Sequence, residues 1–127
     1  MVGIVLVSHS AELARGLADL TSQVAGAEVR IEPAGGGPDG TLGTNGDWVR
    51  DAIGRADTGD GVVVLADLGS AILTVRHVLE GQANGHVRLV DAPLVEGAVA
   101  AAIMASAGQS LEDVARAAEE ARGASKF

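Results

Sequence analysis

Val2-Gly3-Ile4-Val5-Leu6-Val7-Ser8-His9-Ser10 carries an apolar run that closes on a short polar tripeptide. The run is aliphatic on both faces, as a strand buried on both sides of a parallel sheet must be, and the segment after it has helical spacing. His9 therefore stands where a central strand hands over to a helix. In open parallel sheets ligands bind at that edge, because loops leave the carboxyl ends of the strands there and helix starts point free N–H groups into the same crevice.

A second run, Val62-Val63-Val64-Leu65-Ala66, repeats the logic and ends in Asp67-Leu68-Gly69-Ser70. It predicts another central strand, with a helix beginning near Ser70 that carries Ile72, Val75, Val78 and Leu79 on one side. Two neighbouring strands thus present His9 and Asp67 to one crevice. Between them, a helix from Ser10 to about Ala25 carries the stripe Leu13, Leu17, Leu20 and Val24, and Glu28–Glu32 alternates as an edge strand ended by Pro33.

The Gly-rich stretch Ala34–Thr44 is too flexible for regular structure, and Thr44 is expected to cap a helix that buries Trp48, Val49, Ala52, Ile53 and Ala56. Further on, His86–Val90 predicts a fourth strand. Val95–Ala107 predicts a helix apolar almost all round, destined for the core or a subunit interface, and Ser110-Leu111-Glu112-Asp113 is a capping box opening the last helix. Alternating β-α units with right-handed crossovers predict one domain over 1–127. Its class is α/β, an open, mainly parallel four-stranded sheet of order 2-1-3-4 with helices on both faces.

Composition narrows the function. The chain has 127 residues, 47% of them hydrophobic, which is enough for one compact domain and too little for two of ordinary size. Its core must be aliphatic, because Trp48 and Phe127 are the only aromatic residues. Seventeen acids against nine bases give a formal charge of −8, which argues against a nucleic-acid partner. With no cysteine there is neither a disulfide framework nor a thiolate metal site. No basic n-region opens the chain and Ala98–Ala107 is too short to span a bilayer, so a soluble cytoplasmic protein with no membrane partner is expected.

At His9 a neutral imidazole is nucleophilic, and a carboxylate bonded to one ring nitrogen would fix the tautomer and free the other to attack. Asp67 is the candidate carboxylate. A phosphoryl group on His9 would face the start of the first helix, with the Ser10, Thr44 and Ser70 hydroxyls and the Gly-rich loop around Gly36 as candidate phosphate-binding groups. No Lys or Arg stands in these loops, so main chain and hydroxyls would stabilise the anion. The same residues allow a plainer reading, with His9 satisfied by loop carbonyls and Asp67 capping a helix. His77 is expected to be solvated mid-helix, and His86 to open an ordinary strand.

The ordered motifs Gly3-Ile4-Val5-Leu6-Val7-Ser8-His9-Ser10, Gly35-Gly36, Asp39-Gly40, Gly43-Thr44, Asp60-Gly61, Asp67-Leu68-Gly69-Ser70-Ala71 and Val90-Asp91-Ala92-Pro93-Leu94-Val95-Glu96-Gly97-Ala98 span nearly the whole chain. Together they resemble the phosphotransferase subunits of phosphoenolpyruvate-dependent dihydroxyacetone kinase, in the mannose-type enzyme IIA fold group. The resemblance implies a phosphoryl relay. His9 would accept a phosphoryl group on Nε2, as tele-phosphohistidine, from the phosphocarrier HPr, itself charged from phosphoenolpyruvate through enzyme I. It would pass the group to ADP on a nucleotide-binding subunit, whose ATP phosphorylates dihydroxyacetone held on a third subunit.

Asp67 would orient the imidazole, the subunit would be a homodimer, and neither a cofactor nor a metal at the histidine would be required. The chain departs from the family at Asn45, usually Ser, and at Ile72-Leu73-Thr74-Val75, usually Met-Asn-x-Glu, a segment positioned to meet a partner. Some relatives carry fused HPr-like and enzyme I-like domains; a complete chain of this length would depend on separate carriers. Two other readings share the crevice: the enzyme IIA component of a mannose-type sugar phosphotransferase system, and a non-enzymatic flavodoxin-like ligand-binding module. A histidine phosphatase is disfavoured because Ser8 stands where its phosphate-binding Arg would be.

Overall fold

The computed structural model describes residues 1–81 and 85–127. In chain order the elements are β1 (Gly3–Ser8), α1 (Ala11–Ala25), β2 (Ile31–Gly35), α2 (Gly46–Ala56), β3 (Val62–Ala66), α3 (Gly69–Leu79), β4 (Val87–Leu89), α4 (Leu94–Ser106) and α5 (Leu111–Glu120), with short 3-10 turns at Pro38–Gly40 and Ala121–Gly123. The strands form one parallel sheet in the order β2-β1-β3-β4. This is the α/β architecture and the strand order expected.

Alternation along the central strands divides the interior into two layers. Ile4, Leu6, Val63 and Leu65 point to one face, where Leu17 and Ala18 of α1, Ala98, Ala101, Ala102 and Ala105 of α4, and Val114, Ala115 and Ala118 of α5 cover them. Val5, Val7, Val62, Val64 and Ala66 point to the other, under Val49, Ala52, Ile53 and Ala56 of α2 and Ala71, Val75 and Val78 of α3. Alanine predominates on α4, which lets that helix lie close to the sheet. Among the described residues no helix is long and apolar enough to cross a membrane.

Several local expectations give way. The second strand is not Glu28–Glu32 ended by Pro33; it is Ile31–Gly35 with Pro33 in its middle. Ile4 N–H donates to Arg30 O and Gly36 N–H donates to Ser8 O, so even-numbered residues of β2 serve the ladder to β1. Pro33, paired across from Leu6, therefore turns its missing donor to the open edge and costs no sheet bond.

On α1, Leu13, Leu20 and Val24 are exposed at 45%, 47% and 44%, while Ala14, Leu17, Ala18 and Thr21 face inward. The helix sits close enough to β2 that small residues fill its inner face: a methyl built on Gly35 would come within 3.0 Å of the Ala14 Cβ. The Thr21 hydroxyl, buried there, donates back to Leu17 O at 2.8 Å. Trp48 is likewise 41% exposed, because Val49, Ala52, Ile53 and Ala56 already complete the inner stripe of α2. α4 is buried only along Gly97, Ala98, Ala101, Ala102 and Ala105, leaving Val95 and Ile103 outside.

The cap of α2 is Asn45, whose side-chain oxygen accepts from Asp47 N–H at 2.9 Å and Trp48 N–H at 3.2 Å. Thr44 does not cap it. α3 begins at Gly69 with Leu68 before it and has no side-chain cap, whereas Ser110 caps α5 as expected, accepting from Asp113 N–H at 3.2 Å. His77 is exposed and lies 3.5 Å from Glu80.

Two features at the opposite edge hold the sheet. A Cβ on Gly3 would lie 2.1 Å from the Ala56 carbonyl oxygen, so β1 and the end of α2 meet where no side chain fits. Gly3→Ala is expected to lower unfolding stability by about 2–3 kcal/mol in a denaturant titration. His86 Nε2 lies 2.9 Å from Asp57 Oδ1, tying the start of β4 to the turn before β3. The His86 side chain, then the Gly59 N–H, hold the Asp57 carboxyl below its usual value. A carboxyl depressed in the folded state stabilises above its unfolded pKa and loses that contribution as pH falls through the folded value. Asp57→Asn is therefore expected to lower Tm at neutral pH, the gap to wild type closing in melts below about pH 4.

Candidate functional site

β1 and β3 are adjacent and parallel, with Val7 opposite Ala66, so their carboxyl ends stop side by side. From β1 the sheet continues to β2 on one side and to β3 on the other, and the crevice opens at this reversal, where doubly wound sheets take their ligands. Asp67 N–H donates to Val7 O at 3.2 Å, and Gly43 N–H donates to His9 O at 2.9 Å. His9 is thereby brought between the Asp67 turn and the Gly-rich loop.

Asp67 uses its carboxylate on the main chain. Its Oδ2 accepts the Ser8 hydroxyl at 2.6 Å and the His9 N–H at 3.2 Å; its Oδ1 accepts the Leu68 N–H at 2.7 Å and the His9 N–H at 3.3 Å. The direct carboxylate-to-ring bond expected from the sequence is not made here, since the carboxylate is drawn to three donors of the two strand ends. On the imidazole, Nδ1 is buried and has no hydrogen-bond partner. The residue as a whole is half-buried and Nδ1 is its buried ring nitrogen, which leaves Nε2 as the accessible one.

The candidate phosphate-binding groups divide. The Ser10 hydroxyl is occupied as the cap of α1, accepting from Leu13 N–H at 3.3 Å, and Gly36 N–H is directed to Ser8 O at 3.4 Å. Gly36 has φ +77, and a Cβ there would crowd the Ala11 Cβ at 3.1 Å, so the chain passes close under the first turn of α1. The Thr44 hydroxyl is buried without a partner, just after the Gly43 amide that holds His9. Ser70 lies exposed on the first turn of α3, its carbonyl accepting from the Thr74 hydroxyl.

Anion-binding capacity follows from what the helix starts leave unused. At α1, Ser10 N–H is taken by Ser8, Leu13 N–H by the Ser10 side chain and Ala14 N–H by Ser10 O. Among the described residues, the N–H groups of Ala11 and Glu12 on α1, and of Gly69, Ser70 and Ala71 on α3, have no protein acceptor. Two helix dipoles and these amides favour negative charge at the crevice.

Ser8 is the residue that sequence reasoning passed over. It is completely buried, donates to Asp67 Oδ2 and accepts from Ser10 N–H at 3.0 Å. A serine closing an otherwise aliphatic strand was the available signal. Beside the site, Ala11, Arg15, Pro33, Gly35, Trp48 and Arg55 line a shallow groove along the edge of β2.

Residues 3–115 match the family model EIIA-man, described as the PTS system fructose IIA component. Curated relatives include "PEP-dependent dihydroxyacetone kinase 2, phosphoryl donor subunit DhaM" of Listeria innocua, 37% identical over 90% of this chain and 94% of its own length. The "PTS-dependent dihydroxyacetone kinase, phosphotransferase subunit DhaM" of Lactococcus lactis is 36% identical over 88% of this chain and 89% of its own. The phosphoryl donor subunit DhaM of Escherichia coli K12 is 37% identical over 90% of this chain, which spans only 25% of that longer protein. A crystal structure of a protein of unknown function, EF1359, superposes with a TM-score of 0.86 at 34% identity over 100% of this chain and 99% of its own. The chain therefore belongs to the EIIA-man family, on the branch of the DhaM phosphoryl donor subunits.

Proposed function

We propose that the chain is a phosphohistidine carrier that accepts a phosphoryl group from phospho-HPr on His9 Nε2 and passes it to ADP on the nucleotide-binding subunit of a dihydroxyacetone kinase. The observation that carries this reading is the His9 ring itself. Its Nδ1 is buried, its Nε2 is the accessible ring nitrogen, and the helices that begin just after His9 and Asp67, α1 and α3, keep N–H groups without protein acceptors. In the transfer, the Nε2 lone pair of His9, whose ring proton is on Nδ1, attacks phosphorus while the P–N bond to the donor imidazolium breaks. The donor keeps its own ring proton and leaves as neutral imidazole, and His9 becomes an N-phosphorylated imidazolium. In the second transfer a β-phosphate oxygen of ADP attacks phosphorus, the P–Nε2 bond breaks, and His9 leaves as neutral imidazole with its proton still on Nδ1. The new phosphoramidate places three anionic oxygens beside helix N–H groups, which stabilise them without a side-chain cation.

Thr44, whose hydroxyl is buried and unpartnered, and Ser70, on the uncapped first turn of α3, are the hydroxyls we assign to the phosphoryl oxygens. Ser10 and Gly36 act at one remove, by capping α1 and by bringing the Gly-rich loop under it. Asp67 positions His9 through the main chain. HPr and the ADP-binding kinase subunit, and through the latter the dihydroxyacetone-binding subunit, are the partners this assignment requires.

A homodimer fits the outer side of α1 and α4, two helices packed against one another. There Leu20 at 47% and Ile103 at 50% exposure offer apolar surface to a second copy. Sedimentation equilibrium is expected to show a dimer for wild type and a monomer for the Leu20→Glu/Ile103→Glu variant.

With phosphoenolpyruvate, enzyme I and HPr, intact-mass spectrometry is expected to find one acid-labile phosphate, mapped to His9 and absent from His9→Ala. Absence of label on wild type with active carriers would turn the reading towards a ligand-binding module. Asp67→Ala is expected to slow uptake by roughly 100-fold, the loss that a misplacement of about 1 Å brings in an oriented reaction. A wild-type rate would remove its positioning role.

A further inference from the structure

We infer that Ser8 is a positioning residue of the phosphoryl relay, acting on His9 through Asp67 and the first turn of α1; this rests on the carrier reading above. Two polar side chains are fully buried among the described residues, Ser8 and Thr21. The Thr21 hydroxyl returns to carbonyls of its own helix, Leu17 O and Ala18 O, which is how a buried hydroxyl is satisfied locally. The Ser8 hydroxyl reaches Asp67, 59 residues away, at 2.6 Å, the shortest of the bonds to that carboxylate. On the same oxygen it accepts from Ser10 N–H at 3.0 Å.

These bonds close around the peptide that carries the imidazole. On the amino side of His9, its N–H is shared between the two Asp67 oxygens at 3.2 and 3.3 Å; on the carboxyl side, Ser10 N–H is held by Ser8 Oγ. Ser8 Oγ joins the two by donating to the carboxylate. Without it, Asp67 Oδ2 retains only the longer contact to His9, the carboxylate is free to turn about its Leu68 bond, and Ser10 N–H loses its acceptor. A carboxylate that turns cannot hold the His9 main chain in one place, and the ring moves with it. The charge-assisted O–H to carboxylate bond is the stronger kind, so its loss reaches the carboxylate before it reaches the sheet. β1 remains anchored by Ile4, Val5, Leu6 and Val7, all fully buried.

The test is single-turnover phosphoryl uptake from phosphorylated HPr, by rapid quench over a range of HPr concentrations, on wild type, Ser8→Ala, Ser8→Cys, Asp67→Ala and the Ser8→Ala/Asp67→Ala double variant. Thermal melts establish which variants fold. Ser8→Cys nearly preserves shape and weakens the donor, so it serves if Ser8→Ala does not fold. The expected result is a maximal rate about tenfold lower in Ser8→Ala and in Ser8→Cys, an unchanged half-saturating HPr concentration, and a double variant no slower than Asp67→Ala alone. A wild-type maximal rate in the folded Ser8 variants overturns the inference. So does a loss confined to half-saturation, or losses that multiply in the double variant. Failure of wild type to take label overturns the carrier reading itself, whereas label on wild type with unaffected Ser8 variants overturns only the role of Ser8.

Discussion

The site depends on the register of β1 against β3. With Val7 opposite Ala66, the two parallel strands end level, and one further residue on β3, two on β1, suffice to put a carboxylate against the amide of His9. A slip of one residue would turn every side chain of β1 to the opposite layer, placing Ile4 and Leu6 under α2 and α3 and Val5 and Val7 under α1 and α4. The two layers differ in the size of what they accept, so packing far from the crevice enforces the geometry within it. Gly3, seated against the Ala56 carbonyl at the other end of β1, belongs to the same constraint.

What the sequence disclosed follows from how local its signals are. Both central strands are legible because each is a short, continuous, aliphatic run ending in polar residues, and the order 2-1-3-4 follows from alternation and crossover handedness. The common edge of His9 and Asp67 is legible for the same reason. The inner face of α1 is not, because periodicity weighs Leu13, Leu20 and Val24 above Ala14 and Ala18, whereas the close approach to β2 selects by size. Trp48 misleads in the same way: its hydrophobicity suggests burial, but its position lies one residue off the stripe. Pro33 reads as a terminator only until it is known which of its faces meets β1. The destination of the Asp67 carboxylate, main chain instead of ring, and the link through Ser8 depend on hydrogen-bond directions that residue types leave open.

An acidic chain of formal charge −8 is an unusual host for an anion, and no Lys or Arg stands in segments 8–14, 34–46 or 67–72. The crevice compensates with dipoles. α3 begins without a side-chain cap, and the amides that a cap would have occupied have no protein acceptor; α1 is capped by Ser10, yet the amides of Ala11 and Glu12 also have none. Fixed main-chain donors need not reorganise when charge arrives, and they hold an anion without the deep electrostatic trap that a guanidinium would make. For a group that must be given up as readily as it is taken, that moderation is useful.

Pro33 has a further consequence for how this molecule meets others. β2 lies at the border of the sheet beside the groove lined by Arg15, Trp48 and Arg55, and an unblocked border strand is a template on which any extended segment can pair. A proline in mid-strand removes one donor from the row that faces outward, and Glu32, engaged with Arg55 at 3.5 Å, adds charge beside it. The sheet is thus closed to growth at this border, where an extended segment laid alongside would meet charged side chains and a broken row of donors in place of a continuous backbone ladder.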